Sequence, residues 1–573
     1  MKKSYKINII FSAVFLCVIV FAFTAFNTEE NTTVLKPETL SGEFKNSAYE
    51  RVNSRKNGAN FESVNLFEQS NKDNSGIINS AVSQASFFRL DRTSLSQLNN
   101  RKSQNITLTI PTETGNIELE LCQVNFIPAD FKILTSSGKT MPYKQGLYYQ
   151  GIIKGDNSSL AAISIFENEI MGIVSNDKGN YNLGALENDN NEYIYYNDRN
   201  LLKNFDFKCD VEDGYGEHYR EGNNNVKSAP NSSSTVNPVK MYYVCDYQMY
   251  IDNNSNTQLV GNFVTAVFNQ VNILYQNEQL QLELAPNMSI YTSPDPYRTY
   301  TTSQTAEILT AFGTDIKNDL QGGNLAQLLS TRTPVMGAIA WVNVLCQPYE
   351  PGSHSGRYAF SELENSYNNV PIYSWTVEVI AHETGHNFGS NHTQACVWPV
   401  FSNGVLGAID SCVDAEQGSC FTQTQPNPNG TIMSYCHIPQ GGAINFTLGF
   451  GPLPGDTIRE RYAQALCIDN PINSSEAPLD FNLLQNYPNP FNPSTNIKFA
   501  LPQDGLVTLR VYDVSGREVA KLISSQYYPI GIFSYTLDAS TLNLASGVYL
   551  YKLDVSRENN SVYSEIKKMV LIK

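Results

Sequence analysis

The sequence is poor in charge and poorer in histidine. Charged residues make up only 16% of its 573 positions, and the whole chain holds six His and three Trp. Hydrophobic residues reach 41%. Low hydrophobicity with high net charge, the usual cause of disorder, is therefore excluded for most of the length. Basic residues are scarce: 39 Lys+Arg face 55 Asp+Glu, a net charge of −16. Such a chain has no general attraction for nucleic acid or anionic membranes. Long hydrophobic runs are missing too, with one exception. Met1-Lys2-Lys3 precedes an apolar run from Ile7 to Phe26, the short basic start and hydrophobic core of a secretory signal. The run is long enough to span a bilayer as an uncleaved anchor. The polar region from Asn27, however, lacks the basic flank of a stop-transfer segment. Cys17 follows Leu16, not a small residue, which argues against a lipoprotein cysteine. With residues 1–26 removed as a signal, no integral membrane segment is expected.

What is present reads as β-rich and extracellular. Tyr (33) and Phe (28) are abundant, and the length predicts about three to four domains. Residues 27 to about 105 are polar and read as loosely ordered. From Ile106 to about Tyr196, short alternating runs such as Ile106–Ile110, Ile117–Leu121 and Leu160–Ile165 predict an all-β module. Residues 221–238 are a polar, low-complexity linker open to proteolytic nicking. The pattern then changes. A buried strand at Met241–Cys245, helical spacing over Leu259–Tyr275, a strand near 280–284, a helix near 306–320, an apolar strand at Gly337–Val342 and a helix over Trp375–Phe388 predict an α/β domain ending near Cys467. After a second linker, strands at 495–501, 507–514, 533–537, 547–555 and 566–572 predict an antiparallel sandwich.

Chemistry concentrates at His382-Glu383-Thr384-Gly385-His386-Asn387-Phe388-Gly389-Ser390-Asn391-His392. His382 and His386 lie one turn apart on one helix face, so both imidazoles reach one ion. Gly389 lets the chain leave the helix through a left-handed or otherwise strained turn, bringing His392 round as a third nitrogen. Three neutral imidazoles suit zinc and leave a position open for water. Glu383, beside the first ligand, is placed to take that water's proton and pass it to a leaving amine. Half of the chain's His are used here. His218, His354 and His437 read as ordinary loop or surface residues.

These residues resemble the metzincin zinc endopeptidases, which carry a Met in a tight turn beneath the metal. Thr431-Ile432-Met433-Ser434-Tyr435 matches that turn. Over about residues 239–470 the chain is most similar to the reprolysin (adamalysin-like) proteases, through Tyr243–Tyr247, Ala326–Leu329 and Gly337–Ala340 before Cys346. Two departures stand out. Reprolysins usually have Asp after the third His, here Thr393, and Pro two after the Met, here Tyr435. A Tyr at that position resembles the astacins and serralysins, where it ligates zinc or hydrogen-bonds the tetrahedral intermediate. Tyr435 is thus a catalytic candidate, with a packed turn Tyr as the alternative. Tyr149-Gln150-Gly151 and Ser158–Ser164 resemble a reprolysin propeptide. Such propeptides often end in a Cys whose thiolate fills the open zinc position. Phe207-Lys208-Cys209-Asp210 makes Cys209 the candidate latency switch, although the usual Gly after it is Asp210. The alternatives are an ordinary disulfide or a free thiol.

The chain has ten Cys, and nine remain if Cys17 leaves with the signal, which export allows to pair as disulfides. The resemblance implies a Cys346–Cys467 bridge. Cys396, Cys412, Cys420 and Cys436 are expected to form two more, in a pairing the sequence leaves open. Cys245 is acceptable as a reduced core residue, and Cys122 and Cys209 fall in the N-terminal module.

Leu484–Thr495 (with Tyr-Pro-Asn-Pro-Phe-Asn-Pro), Val511–Val519, Ala545–Tyr549 and Lys568–Lys573 resemble the C-terminal sorting domains of type IX secretion. A generic immunoglobulin-like binding module is the alternative. The expected fold is therefore multidomain: an α/β metzincin domain flanked by an all-β propeptide and an all-β immunoglobulin-like C-terminal sandwich. The expected segments are a signal peptide (1–26), a propeptide and linker (27–237), a zinc protease domain (238–470), a linker (471–483) and a sorting domain (484–573). The resemblance implies a zymogen of a secreted or surface-attached zinc endopeptidase, exported through the periplasm. Its expected partners are protein or peptide substrates and the type IX machinery, with no nucleic acid. Other readings are an adhesin on an inactive metzincin scaffold, against which Glu383 argues, and a peptidase of narrow specificity. One catalytic Zn2+ is expected. Asp- and Asn-rich loops leave Ca2+ open, with no ligand spacing that proves a site.

Overall fold

A computed structural model describes residues 46–203, Lys208, Cys209 and Val211, then 237–468 and 481–572, less short stretches of which 401–405 and 421–428 are the longest. The expected signal segment, and most of both linkers, lie outside the described residues.

Within the N-terminal region, strands between Glu62 and Asn197 make a ten-stranded sheet. Its middle runs Gly115–Val124, Leu147–Ile153, Leu160–Ile165, Ile170–Asn176 and Gly179–Leu186 as antiparallel neighbours. Several of these strands are buried on both faces, which is why Leu160–Ile165 reads as a nearly unbroken apolar run. Tyr149, Ala161 and Ile163 point into one core, and Tyr148, Leu160 and Ala162 into another.

This region is not all-β, and its described part before residue 105, from residue 46, carries regular structure. It carries helices Ser47–Lys56, Ser75–Ser80 and Arg92–Arg101. The last is capped by Asp91, whose side chain accepts from the Thr93 and Ser94 amides, and it buries Leu95 and Leu98. Ser47–Lys56 buries only Ala48 and Val52. Two buried residues on a polar helix leave too weak a period to stand out in sequence.

The expected elements of the central domain appear in the expected order, but strands at Asn287–Ile290, Leu325–Ser330 and Tyr358–Glu362 lie among them that the sequence did not predict. Asn256 caps a helix at Thr257–Asn277 by accepting from the Gln258 amide. Helices at Thr305–Ile316 and Tyr373–Asn387 follow. The main strands are Val239–Cys245, Leu325–Ser330 and Tyr358–Glu362, mutually parallel, with Gly337–Ala340 antiparallel beside the last. The sheet does not stop at the domain's own strands. Lys132–Thr135 of the N-terminal region pairs in parallel with Asn287–Ile290 at one edge, and Lys208–Cys209 pairs with Gly337–Ala338 at the other. The Thr257–Asn277 helix packs on the N-terminal strands as well as on the central domain, so one core joins the two regions.

In the C-terminal module, a three-stranded sheet (Asn482–Leu483, Ser494–Leu501, Gly531–Asp538) and a four-stranded sheet (Gly505–Asp513, Glu518–Tyr528, Gly547–Arg557, Asn560–Leu571) share one core. Glu518–Tyr528 was not expected as a strand. Its half-exposed residues and register shifts against Gly505–Asp513 blur the two-residue alternation. Among the described residues, no helix is long and apolar enough to cross a membrane.

Where the two larger regions meet, Asp198 accepts from Asn180 Nδ2 at 2.9 Å, and its Oδ1 has no contact with solvent. Burial pushes this carboxyl up to about 6 from 3.8, with the Asn180 amide opposing. A carboxyl raised in the folded state favours folding while protonated. Its contribution is full below about pH 4 and is lost as pH rises through about 6. Asp198→Asn should remove that part of the pH dependence. In urea titrations at pH 4 and pH 7, the variant's midpoint is expected to fall less across the interval than the wild type's.

Candidate metal centre

Helix Tyr373–Asn387 carries His382, Glu383 and His386, and all fifteen of its residues are buried. It ends as its glycine requires. Gly389 has φ +99°, its amide donates to His386 O at 2.7 Å, and the Ser390 amide donates to Gly385 O at 3.0 Å. This is a Schellman ending, which satisfies the last carbonyls and turns the chain toward His392.

The three Nε2 atoms converge. His386 Nε2 lies 3.1 Å from His382 Nε2 and 3.1 Å from His392 Nε2. The opposite nitrogens decide what this means. His382 Nδ1 lies 2.8 Å from Ile432 O, His386 Nδ1 2.8 Å from Ser390 O, and His392 Nδ1 3.1 Å and 3.2 Å from the two Glu416 oxygens. Carbonyls and carboxylates only accept, so each Nδ1 carries the proton and each Nε2 offers a lone pair inward. Lone pairs 3.1 Å apart repel unless a cation lies between them. Extra protons are a poor choice, because burial and the neighbouring rings hold His382 and His386 well below the usual histidine range. A metal ion fits: nitrogens about 2.0–2.1 Å from a tetrahedral zinc stand about 3.3 Å apart.

The floor is Met433, fully buried. A Cβ on Gly385 would lie 2.6 Å from Met433 Sδ, so the residue just before His386 has to be glycine for the sulfur to come this close. The Met433 carbonyl accepts from the Thr393 amide at 3.0 Å. Glu383 is fully buried, close enough to Tyr435 and Tyr275 to help raise both phenols, for which burial is the larger cause.

Cys209 is brought to the same place. Its sulfur and the three imidazoles each offer a ligand atom, all within 4.8 Å of one another. Tyr435 Oη accepts from the Cys209 amide at 2.8 Å, donates to the Cys209 carbonyl at 3.0 Å and lies 3.2 Å from His392 Nε2. All seven residues singled out in the sequence, Cys209, His382, Glu383, His386, His392, Met433 and Tyr435, thus belong to one site.

Sequence reasoning missed Glu416. No spacing marks it; two disulfides bring it in. Cys412–Cys436 ties its loop to the turn after Met433, and Cys396–Cys420 ties it to the segment after His392. Gln394 Nε2 holds its Oε1 at 2.7 Å. Thr393 stands where the reprolysins this chain resembles usually have Asp. Its hydroxyl meets Met433 O at 3.3 Å and bonds Asp410, so carboxylates reach this corner from the loop. Cys346–Cys467 is also bridged, while Cys122, Cys209 and Cys245 are reduced and buried. His437 lies in a turn, as a loop residue, and is mostly covered: its Nδ1 stands 3.0 Å from Glu378 Oε1 and its ring packs edge-on against Trp375.

Residues 235–444 match the reprolysin-type model of metallo-peptidase family M12. The chain carries a reprolysin-like M12 metallopeptidase domain. Residues 485–572 match the secretion system C-terminal sorting domain, the type IX signal. A zinc metalloproteinase-disintegrin-like protein of Cerberus rynchops is 25% identical over 300 residues, 50% of this chain and 46% of the relative. The chain thus spans about half the length of that relative. Among solved structures, metalloproteinase-II from Bacteroides fragilis aligns at 12% identity over 61% of this chain and 95% of its own, with a TM-score of 0.30. OgpA from Akkermansia muciniphila, solved with an O-glycopeptide, aligns at 11% identity over 60% and 95%, with a TM-score of 0.19.

Glu416 is expected to matter through His392. Glu416→Ala should weaken zinc binding about 10–100-fold, measured by competition with a chelator, and Glu416→Gln, which keeps an acceptor, should weaken it less.

Proposed function

We propose that the protein is a secreted zinc endopeptidase made in latent form. The observation that carries this reading is the convergence of three Nε2 lone pairs, each fixed by a hydrogen bond at Nδ1, with Cys209 as the fourth donor. His382, His386 and His392 would hold the ion. Zinc, when bound there, supplies Lewis acidity that polarises the attacking water and the scissile carbonyl.

The chain's own groups do the rest. Glu383 is the general base that takes the water's proton and delivers it to the leaving amine. Burial of the helix keeps bulk water away from that transfer. Tyr435 Oη, released from Cys209, becomes a donor for the oxygen that gains charge as the carbonyl is attacked.

Latency follows from the same geometry. Lys208–Cys209 lies along the Gly337–Ala338 edge, with the sulfur among the ligand nitrogens. Three nitrogens and a thiolate would together supply the four donors of a closed zinc site, leaving no position for water. The N-terminal region is thus an inhibitory propeptide, and residues 484–573 an immunoglobulin-like sandwich that directs export. The shared core of its two sheets supports the sandwich reading. The substrates are proteins or peptides.

Glu383→Ala in the activated enzyme should lower peptide cleavage about 10²–10⁴-fold with zinc content unchanged; full activity would remove it as the base. Cys209→Ser in the uncut chain should give measurable cleavage. A variant as silent as the wild type would remove the thiol from the latency mechanism.

A further inference from the structure

We propose that residues 46–203 are a lasting subunit of the protease: after scission of the 212–236 stretch this module stays bound, and only the strand at Lys208–Cys209 leaves the cleft. The proposal deepens the latent-zymogen reading and rests on it for the role of that strand.

Three of the contacts that join the module to the central domain carry the argument. The first is backbone pairing. Lys132–Thr135 runs beside Asn287–Ile290. The Lys132 amide donates to Pro286 O at 2.9 Å, Ser136 to Ile290 O at 3.0 Å and Leu284 to Phe126 O at 2.9 Å. Without the module, the Asn287–Ile290 edge would be bare, a row of unpaired amides beside apolar residues.

The second contact is the active-site helix. Asn182 of the module caps it: Ser374 N donates to Asn182 Oδ1 at 2.8 Å, and no side chain at the helix's own N-cap does so. Gly184 lies so close that an added Cβ would meet the Tyr373 ring at 2.7 Å. Tyr196 Oη donates to Pro371 O at 2.7 Å. Around this junction, Leu186, Ile194 and Tyr196 share a core with Val370 and Ile372.

The third contact is helix Thr257–Asn277, which lies between the module's sheet and the central one. Phe126 packs on Phe268 at 5.0 Å. Two of the helix's buried Asn bond to the module: Asn269 Nδ2 donates to Tyr149 O at 3.3 Å and to Ser164 Oγ at 3.2 Å, and Gln150 Nε2 donates to Asn272 Oδ1 at 3.1 Å. Water could replace those amide bonds. It could not replace the apolar cores, whose exposure would leave a large patch of the kind folded monomers avoid.

Among the described residues, the inhibitory strand is held by fewer contacts. Its pairing there spans Lys208 and Cys209, supplemented by Tyr435, by the thiol at the ligand nitrogens and by Val211 packed on the neighbouring cores. It can peel from the cleft while the module stays.

The test uses the full chain with two engineered recognition sequences for a specific protease, one within 221–236 and one at 204–207. Cutting both frees the strand from both sides. Gel filtration of the double-cut protein is expected to show residues 46–203 and the protease domain eluting together in equal amounts, with zinc retained. Separation into a free module and a folded, zinc-loaded protease would overturn the proposal. Separation accompanied by aggregation or zinc loss of the protease fragment would overturn it as well, since the module would not have stayed bound. Co-elution is read without activity, so it stands or falls apart from latency, which the Cys209→Ser cleavage assay decides.

Discussion

Everything at the centre depends on where three protons sit. Each imidazole can turn a lone pair inward only because its other nitrogen has given its hydrogen to an acceptor, and each acceptor comes from a different part of the fold. Ser390 O is delivered by the glycine ending of the helix, Ile432 O by the turn that also places Met433, and Glu416 by a loop pinned with two disulfides. Loss of any one acceptor would let its ring rotate or change tautomer, and the set would no longer point at one spot.

Burial gives these hydrogen bonds their force. The helix that carries His382, Glu383 and His386 has no exposed residue, because a sheet covers it on either side. In that dry layer an extra proton on an imidazole is disfavoured, which keeps the ligands neutral and ready for a metal. The same closeness lets a single strand obstruct the centre. Edge pairing with Gly337–Ala338 and two bonds to Tyr435 help place Cys209 among the three histidines.

The parts legible in the sequence are those whose signal is local. His382, His386 and Gly389 announce a helix face and its ending, and Thr257–Asn277 shows an apolar period, because helical geometry fixes which residues meet within a few turns. Met433, Tyr435 and Cys209 were legible only through resemblance. The helices before residue 105 were missed because two buried residues in a polar stretch leave almost no period. Glu416 was missed because its approach is set by chain crossings 24 residues apart in sequence.

The sequence alone determined the spacing of the three histidines, three of the central domain's helices, and the terminal segments that resemble export signals. Each rests on spacing along the chain. The tertiary structure decided the rest. It paired Cys396 with Cys420 and Cys412 with Cys436, set Glu416 behind His392, brought Cys209 to the ligands, and extended the central sheet at both edges with N-terminal strands. Those are contacts between residues tens to hundreds of positions apart. Which of the many possible long-range pairings forms is settled by the packing of whole layers, and no local pattern encodes it.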